Sequence, residues 1–163
     1  MPPYLPIYLK DHHAAGTAGS VLAKRLADKA IFDSTKRGEL STLAEEILVD
    51  LRTLEDVMSS LSVPPSKIKD AAAIALAHIG KLKANGHLRQ RSPLSDVVEL
   101  ETLMVGIEGK AALWTSLAQA LPGYPLDFEA LRRRAAQQLD LVSRYRDSAA
   151  QRAFTSVHLP GIR

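Results

Sequence analysis

The sequence predicts an all-α protein, and three observations carry that expectation. Proline and glycine are gathered into short punctuating stretches, leaving long runs free of proline in which a helix can extend without losing a hydrogen bond. Within those runs apolar residues recur at alternating spacings of four and three, the period that stacks side chains on one helix face. Ala and Leu abound, aromatic residues make up 5%, and no useful length shows the alternation of a half-buried strand.

Pro2, Pro3 and Pro6 introduce a first helix over roughly 5–31, with Pro6 in a first turn where a missing N–H costs little. Asp33, Ser34 and Thr35 offer capping oxygens for a second helix reaching about Leu61. There Leu40, Ala44, Ile47, Leu51, Leu54, Met58 and Leu61 form one stripe, which demands a partner. Pro65 or Ser66 opens a shorter helix to about Ala84, closed by Asn85–Gly86. Ser92 and Pro93 begin a fourth segment that extends to Leu121, where "PGYP" stops it. It carries two stripes. One is Val97, Leu100, Met104, Ile107, Ala111, Trp114 and Ala118; the other is Leu94, Val98, Glu101, Val105, Glu108, Ala112 and Thr115. So wide an apolar arc is expected to touch two neighbours, as in a bundle. Asp127 stands near the start of a last helix continuing to about Phe154. A single domain over 1–155 follows, with 156–163 as a flexible tail.

The bulk numbers narrow the function. With 163 residues, 46% hydrophobic and 24% charged, the chain suits one globular core. It has no cysteine, which excludes disulfides, thiolate metal sites and cysteine nucleophiles. No apolar run approaches the roughly 18–20 residues of a membrane span, and "MPPYLPIYLKDHH" does not read as a signal peptide. A cytoplasmic protein without a membrane partner is expected. The net charge of +3 is mild. Basic residues cluster at Lys81, Lys83, Arg89 and Arg91, and again at Arg132, Arg133 and Arg134. Either cluster could meet phosphates, but aromatic stacking residues are absent there and no DNA-reading motif appears. Solvated basic faces are the plainer reading. G-x-S-x-G, P-loop and H-E-x-x-H motifs are all missing, so no residue is assigned a catalytic role.

The stretch "LKDHHAAGTAG" at Leu9–Gly19 is the local signature that stands out. A helix pair, a connection of about 30 residues, a second helix pair and the opening "YLKDHHAAGTAG" together resemble the ferritin-like superfamily. Within it the chain is most similar to small bacterial proteins whose first helix opens Y-L-x-D-H and which lack a complete di-metal motif. The resemblance implies a four-helix bundle, with the short helix in a crossover that lets the second and third long helices run parallel. It also implies iron or manganese, held by carboxylates from two helices and Glu-x-x-His from two others. That motif is not found: Glu45 and Glu46 are followed three residues on by Leu48 and Val49, and Glu99, Glu101 and Glu108 by Thr102, Met104 and Ala111.

Six residues are left as ligands in a metal-binding reading: Asp11, His12, Glu46, Asp50, Glu101 and Glu108. Each has a plainer role. Asp11 favours the positive end of the first helix and His12 packs in its seam, while His13 is expected at the surface. Glu101 and Glu108 are expected to pair with arginines of the last helix, since an unpartnered buried carboxylate costs several kcal/mol. Gly16 and Gly19, among alanines, permit close helix approach. The expected protein is a non-catalytic ferritin-like bundle acting through protein–protein contact or self-association. A cryptic metal-binding bundle and a nucleic-acid-binding helical protein are the alternatives.

Overall fold

The computed structural model describes residues 2–28, 34–67 and 93–154. Among them stand four helices and no strand: α1 (Leu5–Ala27), α2 (Ser34–Ser60), α3 (Pro93–Ala120) and α4 (Phe128–Phe154). The starts of α3 and α4 fall where Pro93 and Asp127 place them. The short helix expected between 65 and 84 lies outside the described residues from 68 onward, His78 included, as does the tail from 156. α1 stops earlier than its pattern suggested: the Asp28 N–H bonds to the Lys24 carbonyl at 3.0 Å and closes the last turn.

Local chemistry sets the ends. The Asp127 carboxylate accepts the Ala130 N–H at 2.8 Å, satisfying one of the unpaired donors at the start of α4. α2 ends in a Schellman motif. The Val63 N–H reaches the Met58 carbonyl at 2.8 Å and the Ser62 N–H reaches Ser59 at 3.0 Å. Val63 and Met58 are both buried, supplying the apolar contact that accompanies this motif. Ser62 occupies the left-handed position with φ 57°, where glycine has no Cβ to strain. Ser62→Gly is therefore expected to stabilise the protein by about 1 kcal/mol, read as a higher urea midpoint at unchanged slope.

Cross-helix contacts fix the directions. Between α1 and α2, His13 meets Glu55, and a Cβ on Gly16 would stand 3.0 Å from the Leu51 side chain. Between α3 and α4, Glu101 meets Arg146 and Trp114 meets Phe128. Between α1 and α3, Tyr8 meets Ser116 and Arg25 meets Glu99. Between α2 and α4, Glu39 meets Tyr145 and Glu46 meets Gln138. In every pair one number rises as the other falls, so all four neighbours are antiparallel. α2 and α3 consequently run in the same direction across the diagonal, and Lys67 and Pro93 lie at opposite ends of the bundle.

The core has two apolar halves. Leu22, Leu26, Leu40, Leu43, Leu100, Leu103 and Val142 fill one. Leu9, Leu54, Met58, Trp114, Leu117 and Phe128 fill the other. Each fully buried leucine contributes roughly 1.5–3 kcal/mol relative to exposure, so these halves dominate the fold's stability. The α2 stripe read from the sequence is half-buried or buried throughout. The second stripe of α3 does not meet the neighbour expected for it: Val98, Glu101, Val105, Glu108 and Ala112 are exposed. α3 already contacts α1 and α4, which leaves that side facing outward.

Candidate functional site

Between the two apolar halves lies a polar layer, and the stripes themselves place it. On α2 the inward sequence is Leu43, Ile47, Asp50, Leu54 and Val57; on α3 it is Leu103, Ile107, Lys110, Trp114 and Leu117. On α4 it is Leu131, Ala135, Gln138, Val142 and Tyr145. Each helix thus carries one polar residue in the middle of an apolar stripe, at the same level of the bundle. They meet.

Asp50 is 1% exposed and its carboxylate is the hub. Lys110 Nζ donates to Oδ2 at 2.5 Å, the Arg134 guanidinium donates to Oδ1, and Gln138 Nε2 lies 3.4 Å from Oδ2. Gln138, 2% exposed, serves both ends of its amide. Its oxygen accepts from Lys110 and its nitrogen donates to Glu46 Oε2 at 3.0 Å. Two carboxylates, Asp50 and Glu46, face two cations, Lys110 and Arg134, so the layer is electrically neutral. Neutrality matters here because a lone charge in the interior costs several kcal/mol. The deep burial of Lys110 lowers its pKa from 10.5; the attraction and hydrogen bond of Asp50 oppose the fall, Arg134 adds to it and Glu46 opposes it.

That direction has a consequence for stability. The unfolded chain holds the Lys110 proton more tightly than the folded one, so stability rises with pH between the lowered folded value and 10.5. Measured by urea unfolding at several pH values from neutrality to about 10, the wild type should gain stability relative to Lys110→Met over the upper part of this range. A difference that is flat or falls with pH would show that burial does not govern this amine.

The donor set does not suit a dication. α2 supplies both carboxylates, while α3 and α4 bring an ammonium, an amide and a guanidinium to the same oxygens. Among the described residues no three His, Asp or Glu side chains come together as metal ligands. Of the six candidate ligands, Glu46 and Asp50 share this layer and the other four stand elsewhere. Asp11 is exposed and lies beyond the first turn of α1, which contains no acid. His12 is half-buried and stacks edge-on against Tyr8 with ring centroids 4.4 Å apart; burial lowers its pKa from 6.5, partly countered by Asp11. Glu101 takes the Arg146 Nε at 3.2 Å, the partner from the last helix that its position called for. Glu108 lines a shallow cleft of about 270 Å³ with Ile107, Leu139, Arg132 and Arg133.

The histidine assignment is corrected by the structure. His13, not His12, is the buried one: it is 5% exposed, with Nε2 3.0 Å from Glu55. The buried seam of α1 runs through Leu9 and His13 rather than Tyr8 and His12, one residue along. Leu9 is fully buried and anchors that rotation, which places His13 against α2.

The basic residues are similarly divided. Arg132 binds Glu129 at 2.7 Å, and Arg133 lies 3.8 Å from both Asp127 and Glu129. Arg134 turns inward to Asp50, so the three consecutive arginines do not form one patch. Lys81, Lys83, Arg89 and Arg91 lie outside the described residues. Lys110 and Gln138 were missed as site residues, although the sequence held a signal for both: a polar residue inside an otherwise apolar four–three stripe.

No protein-family model, curated protein or solved structure matches the chain.

Proposed function

We propose that the chain is a ferritin-like helical bundle that works without catalysis, through contact with protein surfaces, its interior held by ion pairs of its own side chains. The observation that carries this reading is the neutral layer of Asp50, Glu46, Lys110, Arg134 and Gln138 at mid-bundle. Antiparallel neighbours with α2 and α3 running together support the ferritin-like part, because a long crossover produces that arrangement. Lys110 and Arg134 supply the two positive charges that one divalent ion would otherwise bring to Asp50 and Glu46. Their nitrogens also satisfy the carboxylate oxygens as hydrogen-bond donors.

Metal content tests the reading. Protein purified without chelator or histidine tag should carry far less than one iron or manganese per chain by plasma mass spectrometry, before and after incubation with either ion. Stoichiometric metal that disappears in Glu46→Ala would overturn the proposal and restore the cryptic metal-binding alternative.

A further inference from the structure

The burial pattern of α1 departs from the one-sided rule that the other three helices keep. From Gly16 to Ala23, more than two turns, no residue of α1 is exposed, whereas every such length of α2, α3 and α4 includes exposed residues among those described. Ala14 sharpens the question. It is 6% exposed, yet the nine-residue step from 14 to 23 sets it half a turn round the helix from the core residue Ala23. Ala18 stands opposite Leu9 by the same step and is half-buried, as are Thr17, Val21 and Arg25 on this side. The helices that α1 packs against lie elsewhere: His13 and Gly16 face α2, and Tyr8 reaches α3. Chain outside these two helices therefore covers the outward side of α1.

We propose that residues 68–92 lie along this outward side of α1, packing an apolar stripe of their own against Ala14, Ala18 and Val21. Length and end points select that segment. Glu55 meets His13 and Glu99 meets Arg25, so α2 ends near the level of Tyr8 while α3 begins about one turn past Ala27. The chain must climb roughly 35 Å between those levels, at 1.5 Å per helical residue. A helix over 68–84, the span the sequence predicts, covers roughly 25 Å and leaves 85–92 for the remainder and the step to α3. The other stretches outside the described residues are badly placed. Residues 29–33 must return at once to Ser34, and Ala14 lies roughly 20 Å below Ala27. Residues 155–163 begin on α4, diagonally across the bundle from α1. A route over α4 would be as short, since α4 also neighbours α2 and α3, but Arg133, Asp140, Arg144 and Asp147 leave its outward side exposed turn after turn. The residue types match as well. Ile68, Ala72, Ala75, Ile79 and Leu82 keep the four–three spacing, and alanines in both stripes let two helix axes come close. The small residues of "HHAAGTAG" then have a reason on each side of α1: Gly16 makes room for Leu51, and Ala14 and Ala18 make room for the crossing segment.

Two spin labels on the full chain test the route. Because the chain has no cysteine, Asp11→Cys and Asp140→Cys each carry a single nitroxide, at exposed positions on α1 and α4 respectively. The α1 label should broaden the backbone amide signals of residues 68–84, and the α4 label should leave them sharp. Thiol reactivity reads the covered side directly. Ala14→Cys should react with a soluble disulfide reagent at least about 30-fold more slowly than Ala15→Cys, its exposed neighbour. Each change is small, and an unchanged helical circular dichroism spectrum confirms that the variant folds. Broadening of 68–84 by the α4 label, broadening by neither label, or equal reactivity of the two thiols would each overturn the proposal. Neither readout involves metal, so failure of this packing is distinguishable from failure of the metal-free reading.

Discussion

Asp50→Leu should destabilise the protein by about 3–5 kcal/mol, the cost of leaving buried charge without its counterpart. The substitution strips Lys110 and Arg134 of the carboxylate both donate to, and removes a second acceptor from the Gln138 amide. Arg134 can escape in part, since it is 30% exposed and its guanidinium can turn toward water; Lys110 at 14% has less freedom. The double variant Asp50→Leu with Lys110→Met separates two explanations. If the layer acts as a charge-balanced unit, the second change should recover most of the loss, because apolar groups of similar size replace both members of the pair. If the single variant costs less than about 1 kcal/mol, Asp50 is not the hub that its three hydrogen-bond partners make it. Urea unfolding followed by circular dichroism measures both, and the slope must stay constant for the comparison to hold.

Trp114 sets the second large effect. It is the only tryptophan of the chain, fully buried in the half of the core that holds Leu9, Met58, Leu117 and Phe128. Trp114→Ala should cost about 3–5 kcal/mol through lost contacts and the cavity left behind. Trp114→Phe should lie within about 1 kcal/mol of the parent, because two changes oppose each other. The smaller ring leaves some space unfilled. It also removes an indole N–H that finds no hydrogen-bond partner among the described residues, and a buried donor of that kind is costly to keep. A loss in Trp114→Phe as large as in Trp114→Ala would mean that the N–H is satisfied, for instance by a buried water. Fluorescence cannot follow these variants, so far-ultraviolet circular dichroism is the appropriate probe.

The elements were legible because their signals are local. Pro93 at a helix start, Asp127 as a cap and the unbroken stripe of Leu40 to Leu61 depend on residues within a few turns of one another, and the structure places helices accordingly. The histidines show where local reading stops. Tyr8–His12 and Leu9–His13 are equally good stripes on paper, one residue apart, and nothing within α1 distinguishes them. Contact with α2 decides it, by burying Leu9 and bringing His13 to Glu55. α3 repeats the lesson. Two apolar stripes predicted two neighbours, and α3 does pack against α1 and α4, but it does so through the side carrying Leu100, Leu103, Ile107 and Trp114, leaving Val98 and Val105 outside.

The sequence by itself determined that this chain is helical, where four of its helices begin or end, and that Glu46 and Asp50 stand one turn apart. Those properties follow from backbone hydrogen bonding and side-chain periodicity, which act over three or four residues. Tertiary structure alone decided that Asp50 meets Lys110, Arg134 and Gln138 rather than Asp11 or His12. A buried carboxylate takes whatever cations the neighbouring helices bring to its level, and that level is set by the register in which the two apolar halves of the core close around it.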